Sequence, residues 1–181
     1  MNIWKSVRWT EATQVTSILG WPPAEDENSS PSGFYAKLRA AGRGTDAAMF
    51  LGQALPRFEA VVWAARSLQD MSTPSRLPNE VQALTSTLLW IQDPSENRRR
   101  AAFDAAELAA TTSPERLCAM AAFYSGGSIT DETAQPTPAP KDLTGRLSSG
   151  AVLIASARSA DAAALDKALR LGEALASGND V

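Results

Sequence analysis

The chain has no histidine and one cysteine, Cys118, among its 181 residues. Histidine is the commonest general base and metal ligand, and the one side chain whose ordinary pKa lies close to neutrality. Its absence removes Ser-His-Asp and Cys-His hydrolysis and every histidine-containing zinc site. A lone cysteine closes no disulfide within the chain, and Leu117-Cys118-Ala119-Met120-Ala121-Ala122 is the setting of a small buried thiol. Long apolar runs are lacking as well. No stretch approaches the ~20 apolar residues that span a bilayer, and residues 1–8 show neither the apolar run nor the cleavage site of a secretory signal. The expectation is a cytoplasmic protein without membrane insertion.

An excess of positive charge is also missing. Net charge is −3 and the pI is near 5.0. Residues 1–33 hold two basic and four acidic groups, residues 34–125 ten and nine, and residues 126–181 five and seven. With no strongly cationic segment, general nucleic-acid binding is not expected. The apolar share of 44% is that of a globular chain, and the length suits a single domain with an appendage.

What the sequence does have is alanine and helical periodicity, with aromatics at only 7%. Apolar residues recur on one helical face at Leu55, Phe58, Val62, Ala65 and Leu68, then at Val81, Leu84, Leu88 and Ile91. The spacing returns at Leu117, Met120 and Tyr124, and at Leu165, Leu169, Gly172 and Leu175. No run alternates with period two, so the fold class is all-α, either a compact bundle or a short stack of helical hairpins. Helices are expected near 34–41, 45–54, 56–71, 79–91, 94–110, 114–124, 143–157 and 161–176, with a weaker one over 10–19. Asp93-Pro94-Ser95-Glu96 and Ser113-Pro114-Glu115 supply an N-cap acceptor, a proline and an early carboxylate to open two of them.

Two stretches resist helix. Residues 1–33 form an irregular arm carrying Trp4, Trp9 and Trp21 and an acidic loop from Pro22 to Gly33. Residues 34–181 form one helical domain interrupted over 131–142 by a strap with Pro136, Pro138 and Pro140. The strap should cross the bundle and return the last two helices to it. Tryptophan outside a core serves either as an interface anchor or as a cover for an exposed face, and the sequence leaves both roles open for the three in the arm.

Other features have structural explanations. Arg98-Arg99-Arg100 with Glu96, Asp104 and Glu107 reads as a solvated ion ladder along a helix. Ser125-Gly126-Gly127-Ser128 follows a helix, where glycine suits a C-cap; phosphate-cradling loops precede helices instead. Gly150 within a helix implies close approach of a neighbouring helix. No catalytic, cofactor-binding or metal-ligating set is evident. Asp104 and Glu107, three apart, are the nearest carboxylate pair, and no second acidic helix completes a metal site.

The segments Phe34-Tyr35-Ala36-Lys37-Leu38-Arg39-Ala40-Ala41-Gly42, Leu55-Pro56-Arg57-Phe58-Glu59-Ala60-Val61-Val62-Trp63-Ala64, Trp90-Ile91-Gln92-Asp93-Pro94-Ser95-Glu96-Asn97-Arg98-Arg99, Ala122-Phe123-Tyr124-Ser125-Gly126-Gly127-Ser128 and Leu143-Thr144-Gly145-Arg146 occur in this order. Over residues 33–157 they resemble an uncharacterised bacterial family associated with type VI secretion gene neighbourhoods. Members often place two tryptophans after the Pro-Arg step, where Val62 fills the first place here. The resemblance implies a helical, non-enzymatic accessory of secretion, an effector chaperone or adaptor whose partner is a secreted effector or spike component. It points to Arg57, Trp63, Trp90, Tyr124, Ser125, Gly126, Gly127 and Ser128 as protein-binding residues, with an exposed apolar patch where Trp63 or Trp90 meets Tyr124 and the acidic segment 24–28 nearby. The rival expectation is an immunity protein, whose negative charge would suit a basic toxin.

Overall fold

The computed structural model describes residues 4–22, 29–71, 76–130 and 133–179. They form nine helices: α1 (Ala12–Leu19), α2 (Pro31–Ala40), α3 (Gly44–Ala54), α4 (Arg57–Asp70), α5 (Pro78–Gln92), α6 (Glu96–Leu108), α7 (Pro114–Tyr124), α8 (Leu143–Arg158) and α9 (Ala164–Ala176). The fold is all-α; the only extended pairing among these residues is an isolated antiparallel bridge between Ser128 and Pro138.

The helix starts follow local chemistry. Ser30 Oγ accepts from Gly33 N at 3.2 Å with Pro31 in the first turn, so α2 begins inside the segment expected to be loop. Ser113 Oγ accepts from Arg116 N at 3.1 Å to open α7 as expected. For α6 the cap is Ser95 and not Asp93. Asp93 instead ends α5, and its carboxylate accepts from Ser95 Oγ and Arg98 Nε. Two residues are thereby lost from the expected start of α6.

Two apolar clusters fill the interior. The larger gathers Trp4, Val15, Phe34, Tyr35, Phe50, Leu51, Trp63, Leu68, Val152 and Leu169 from the N-terminal arm and from α1 to α4, α8 and α9. The smaller, from α4 to α7, is Val61 and Trp90 with alanines at 83, 102, 105, 106, 109, 119, 121 and 122. This second cluster departs from the expected periodicity. In α7 the fully buried face is Cys118, Ala119, Ala121 and Ala122, while Leu117, Met120 and Tyr124 are half-buried. Phe58 and Val81, expected on core faces, stand exposed. Small side chains bring helix backbones together, so alanine occupies the contact and the larger residues flank it.

A backbone-to-backbone approach joins α3 to α8. A Cβ on Gly52 would lie 2.8 Å from the Gly145 carbonyl, and one on Gly145 would lie 2.7 Å from the Gly52 carbonyl. Gly150, expected to mark such an approach, would meet only Leu117 Cδ1 at an ordinary 3.5 Å. The small-residue stretch does mediate close packing, one and a half turns earlier than expected.

Helix α9 closes the larger core. Trp63 Nε1 donates to the Ala168 carbonyl at 2.7 Å, and Tyr35 Oη donates to the Leu169 carbonyl at 3.0 Å. Arg39 donates to Tyr35 Oη and pairs with Asp166. Burial raises the Tyr35 phenol to about 12, against the opposing pull of Arg39. The arm is part of this core: Trp4 stacks 5.1 Å from Tyr35, and Ser6 N donates to the Ala176 carbonyl.

Candidate functional site

The residues expected to form a binding face divide between core and surface. Trp63 is fully buried with its indole N–H satisfied. Trp90 is also buried, its ring 5.4 Å from Phe58. Neither meets Tyr124 at an exposed patch. Tyr124 is half-buried at the end of α7, edge-on to Phe123, and its carbonyl accepts from Thr144 Oγ1 at 2.9 Å. The large exposed apolar side chains lie elsewhere, at Phe58, Leu77, Val81, Leu89 and Leu108. The acidic segment 24–28 lies outside the described residues.

The Ser125–Ser128 loop is held by a buried arginine. Arg99, expected on a solvated ladder, is only 4% exposed. It donates to both carboxylate oxygens of Glu96, to the Phe123 carbonyl and, at 2.7 Å, to the Ser128 carbonyl. Its guanidinium lies 4.5 Å from the Phe123 ring centroid. Gly127 has φ +65°, and a Cβ there would strike Arg99 Nη2 at 2.9 Å, so this glycine is demanded twice. On the outer side, Ile129 N donates to the Thr137 carbonyl and Thr137 N to Ser128 Oγ, fastening the strap. Hydrogen bonds from Arg99, and then from Arg100, hold the Glu96 carboxyl below its ordinary value. Arg100 pairs with Glu96 and the Thr130 carbonyl, and Glu107 pairs with Arg116. The Arg100–Asp104–Glu107 continuation of the ladder does not form.

Arg57 belongs to a different feature. A cleft of about 640 Å³ opens where the arm and α1, the α3–α4 junction, the end of the strap and the start of α8 meet. Arg8, Trp9, Gln14 and Ile18 form one side; Gln53, Leu55, Pro56, Arg57 and Ala60 form the other; Lys141 and Gly145 close the end. Its size lies in the ordinary range for ligand sites. Three cations line it, and no Asp or Glu does. Asp142, adjacent in sequence, is taken by Arg146. Among the described residues neither Arg8, Arg57 nor Lys141 pairs with a carboxylate; Arg57 has one long hydrogen bond, 3.4 Å, to the Ser125 carbonyl. By contrast, every arginine of α6 and α7 is ion-paired.

Two further groups make the cleft polar at depth. Gln53, 7% exposed, has its Oε1 buried against Gly145 with no hydrogen-bond partner. A buried carboxamide oxygen left unpaired costs on the order of 1–3 kcal/mol. Helix α4 starts at this wall with Pro56 as its N-cap and no side-chain cap, leaving first-turn amides and the positive end of the helix dipole beside the three cations.

Arg57 is marked in the sequence, whereas Arg8, Gln53 and Lys141 are not. These come from segments far apart in the chain, which only the fold brings together. Trp9 was visible as an arm tryptophan of undecided role, and here it is half-buried in the cleft wall. A signal for Gln53 did exist: it is the one polar side chain in the buried run from Phe50 to Leu55.

Cys118 is enclosed, and burial, followed by the nearby Glu115, pushes its thiol well above the ordinary value, which suits an inert core residue. Among the described residues no three His, Cys, Asp or Glu side chains converge as metal ligands. No helix among them is long and apolar enough to cross a membrane.

Residues 34–176 match a family of unknown function (DUF6931). The match takes in α2 to α9, including the last helix, and leaves the arm with Arg8 and Trp9 outside. No curated protein and no solved structure matches the chain. The chain belongs to this family of unknown function.

Proposed function

We propose that this is a non-enzymatic binding protein, an adaptor or chaperone that holds part of another protein in the cleft between the arm and the α3–α4 junction. The observation that carries the reading is the cleft itself, lined by unpaired cations, an aromatic wall and an unsatisfied buried carboxamide. An unpaired buried polar group is a cost to folding that a ligand can remove. The setting is the one the sequence resemblance implies: a bacterial cytoplasmic accessory of type VI secretion, with a secreted effector or spike component as partner.

Co-expression with the proteins encoded beside it, followed by size-exclusion chromatography, tests the reading. A stoichiometric complex with one of them is the expected result. Failure to associate with any of them overturns it. The net charge of −3 favours a second reading, an immunity protein occluding a basic toxin; rescue of growth from a co-encoded toxin is the result that would select it.

A further inference from the structure

Resting on that binding role, the chemistry of the cleft says what kind of segment it takes. The molecule as a whole is acidic, yet this one concavity has three basic side chains and no acidic one along its wall. Cations so placed, with no carboxylate of their own, favour an incoming carboxylate, and the positive end of α4 adds to the same field. Charge alone does not separate a free anion from an anionic chain. Gln53 does. Its side chain is a primary amide with a donor and an acceptor, the same pair that a backbone peptide group presents, and its carbonyl oxygen has no partner. A phosphate hydroxyl could donate to that oxygen, but only a peptide group offers the matching donor and acceptor together, beside a side chain for the apolar wall. Apart from Gln14, whose Oε1 accepts from Thr10 N and Glu11 N, the remaining wall presents Trp9, Ile18, Leu55 and Pro56 and fits a hydrocarbon side chain next to the acid.

We infer that the cleft is a docking site for an acidic peptide segment of a partner protein, with Arg8, Arg57 and Lys141 taking its carboxylates, Gln53 a backbone peptide group and Trp9 an adjacent apolar side chain. Lys141 and Arg8 are exposed at the rim, so they steer and screen with salt; Arg57 and Gln53 lie deeper and set affinity. Recognition through both main chain and charge makes the site selective for composition more than for one sequence.

An array of short capped peptides permuting glutamate, aspartate and leucine, read by tryptophan fluorescence and isothermal titration calorimetry, tests this with the full chain. Binding by acid-bearing members is expected, with glutamine- and asparagine-substituted counterparts about tenfold weaker and affinity falling as salt rises. Lys141→Glu and Arg8→Glu, both at exposed positions, should reverse the preference toward lysine-bearing peptides while leaving the melting temperature in place. Gln53→Met should weaken the acidic peptides several-fold and leave the apo protein as stable as before or more so, since it removes the unsatisfied oxygen at nearly constant size. The inference is overturned if no acidic peptide binds, if the neutral counterparts bind equally, or if free glutamate or inorganic phosphate binds as tightly as the peptides do. A co-encoded partner that still co-elutes with the Arg8→Glu, Lys141→Glu double variant would keep the binding role and remove this cleft as its site.

Discussion

Arg99 and Arg57 each donate to a carbonyl of the same Ser125–Ser128 loop and end in opposite states. Arg99 is sealed against Phe123, with Glu96 and two main-chain carbonyls as acceptors. Arg57 reaches one carbonyl at 3.4 Å and otherwise faces an open cleft. A cation with most of its donors engaged fixes structure, whereas one left unspent beside a cavity is available to a ligand. The sequence places both in similar blocks of basic and apolar residues, and only the acceptors around them tell them apart.

Breaking the spent side should have the largest effect. Arg99→Ala leaves the Phe123 and Ser128 carbonyls without their donor, while Glu96 keeps Arg100, a loss of about 3–5 kcal/mol, to be measured by urea unfolding. An unfolding free energy within error of the parent would mean that the clasp is incidental. Next is the floor of the cleft. Gly145→Ala sets a methyl 2.7 Å from the Gly52 carbonyl and 2.5 Å from Gln53 Oε1. Backbone cannot retreat as a flexible side chain can, so a loss of about 2–3 kcal/mol is expected, visible as a lowered melting temperature.

The clasp also has a pH arm. The Glu96 carboxyl is held below its ordinary value of 4.5 by hydrogen bonds from Arg99 and Arg100. A carboxyl lowered in the folded state contributes stability that is complete above the unfolded value and disappears as pH falls through the folded one. Acid should therefore loosen the clasp, and Glu96→Gln should flatten the dependence of unfolding free energy on pH in that window. The effect is modest, because Glu96 is about half exposed to solvent. Smallest of all is Arg57→Ala, expected to change stability by less than about 0.5 kcal/mol in the same assay. A large destabilisation there would erase the distinction between the two arginines.

The fold was legible because its signals are local. Ser113-Pro114, the alanine runs and the proline strap each act within a few residues, and the helices fall close to their expected spans. Boundaries slipped where two caps competed, as at Asp93 and Ser95. Which face turned inward was less legible. Periodicity assigns large apolar residues to the core, but in α5 to α7 the helices pack through alanine and leave Val81 and Leu108 outside. The site was read least well, for the same physical reason. Trp63 and Trp90 stand out by size, and size is what the core consumed. Arg8, Gln53 and Lys141 are ordinary residues in the sequence, and they acquire meaning only from having no partner once the chain is folded.

The bonds from α9 to the first third of the chain bear on the order of events during synthesis. Trp63 and Tyr35 find their acceptors on Ala168 and Leu169, more than a hundred positions later. Until that helix leaves the ribosome, the larger apolar cluster stands open along α3 and α4, and Trp63 has no carbonyl for its indole. Contacts of such separation slow folding and lengthen the time that sticky surface is on display. In a variant that keeps Trp63 as its one tryptophan, the quenching or blue shift of emission on refolding should therefore be a late, single event, arriving with α9 and not with the helices that precede it.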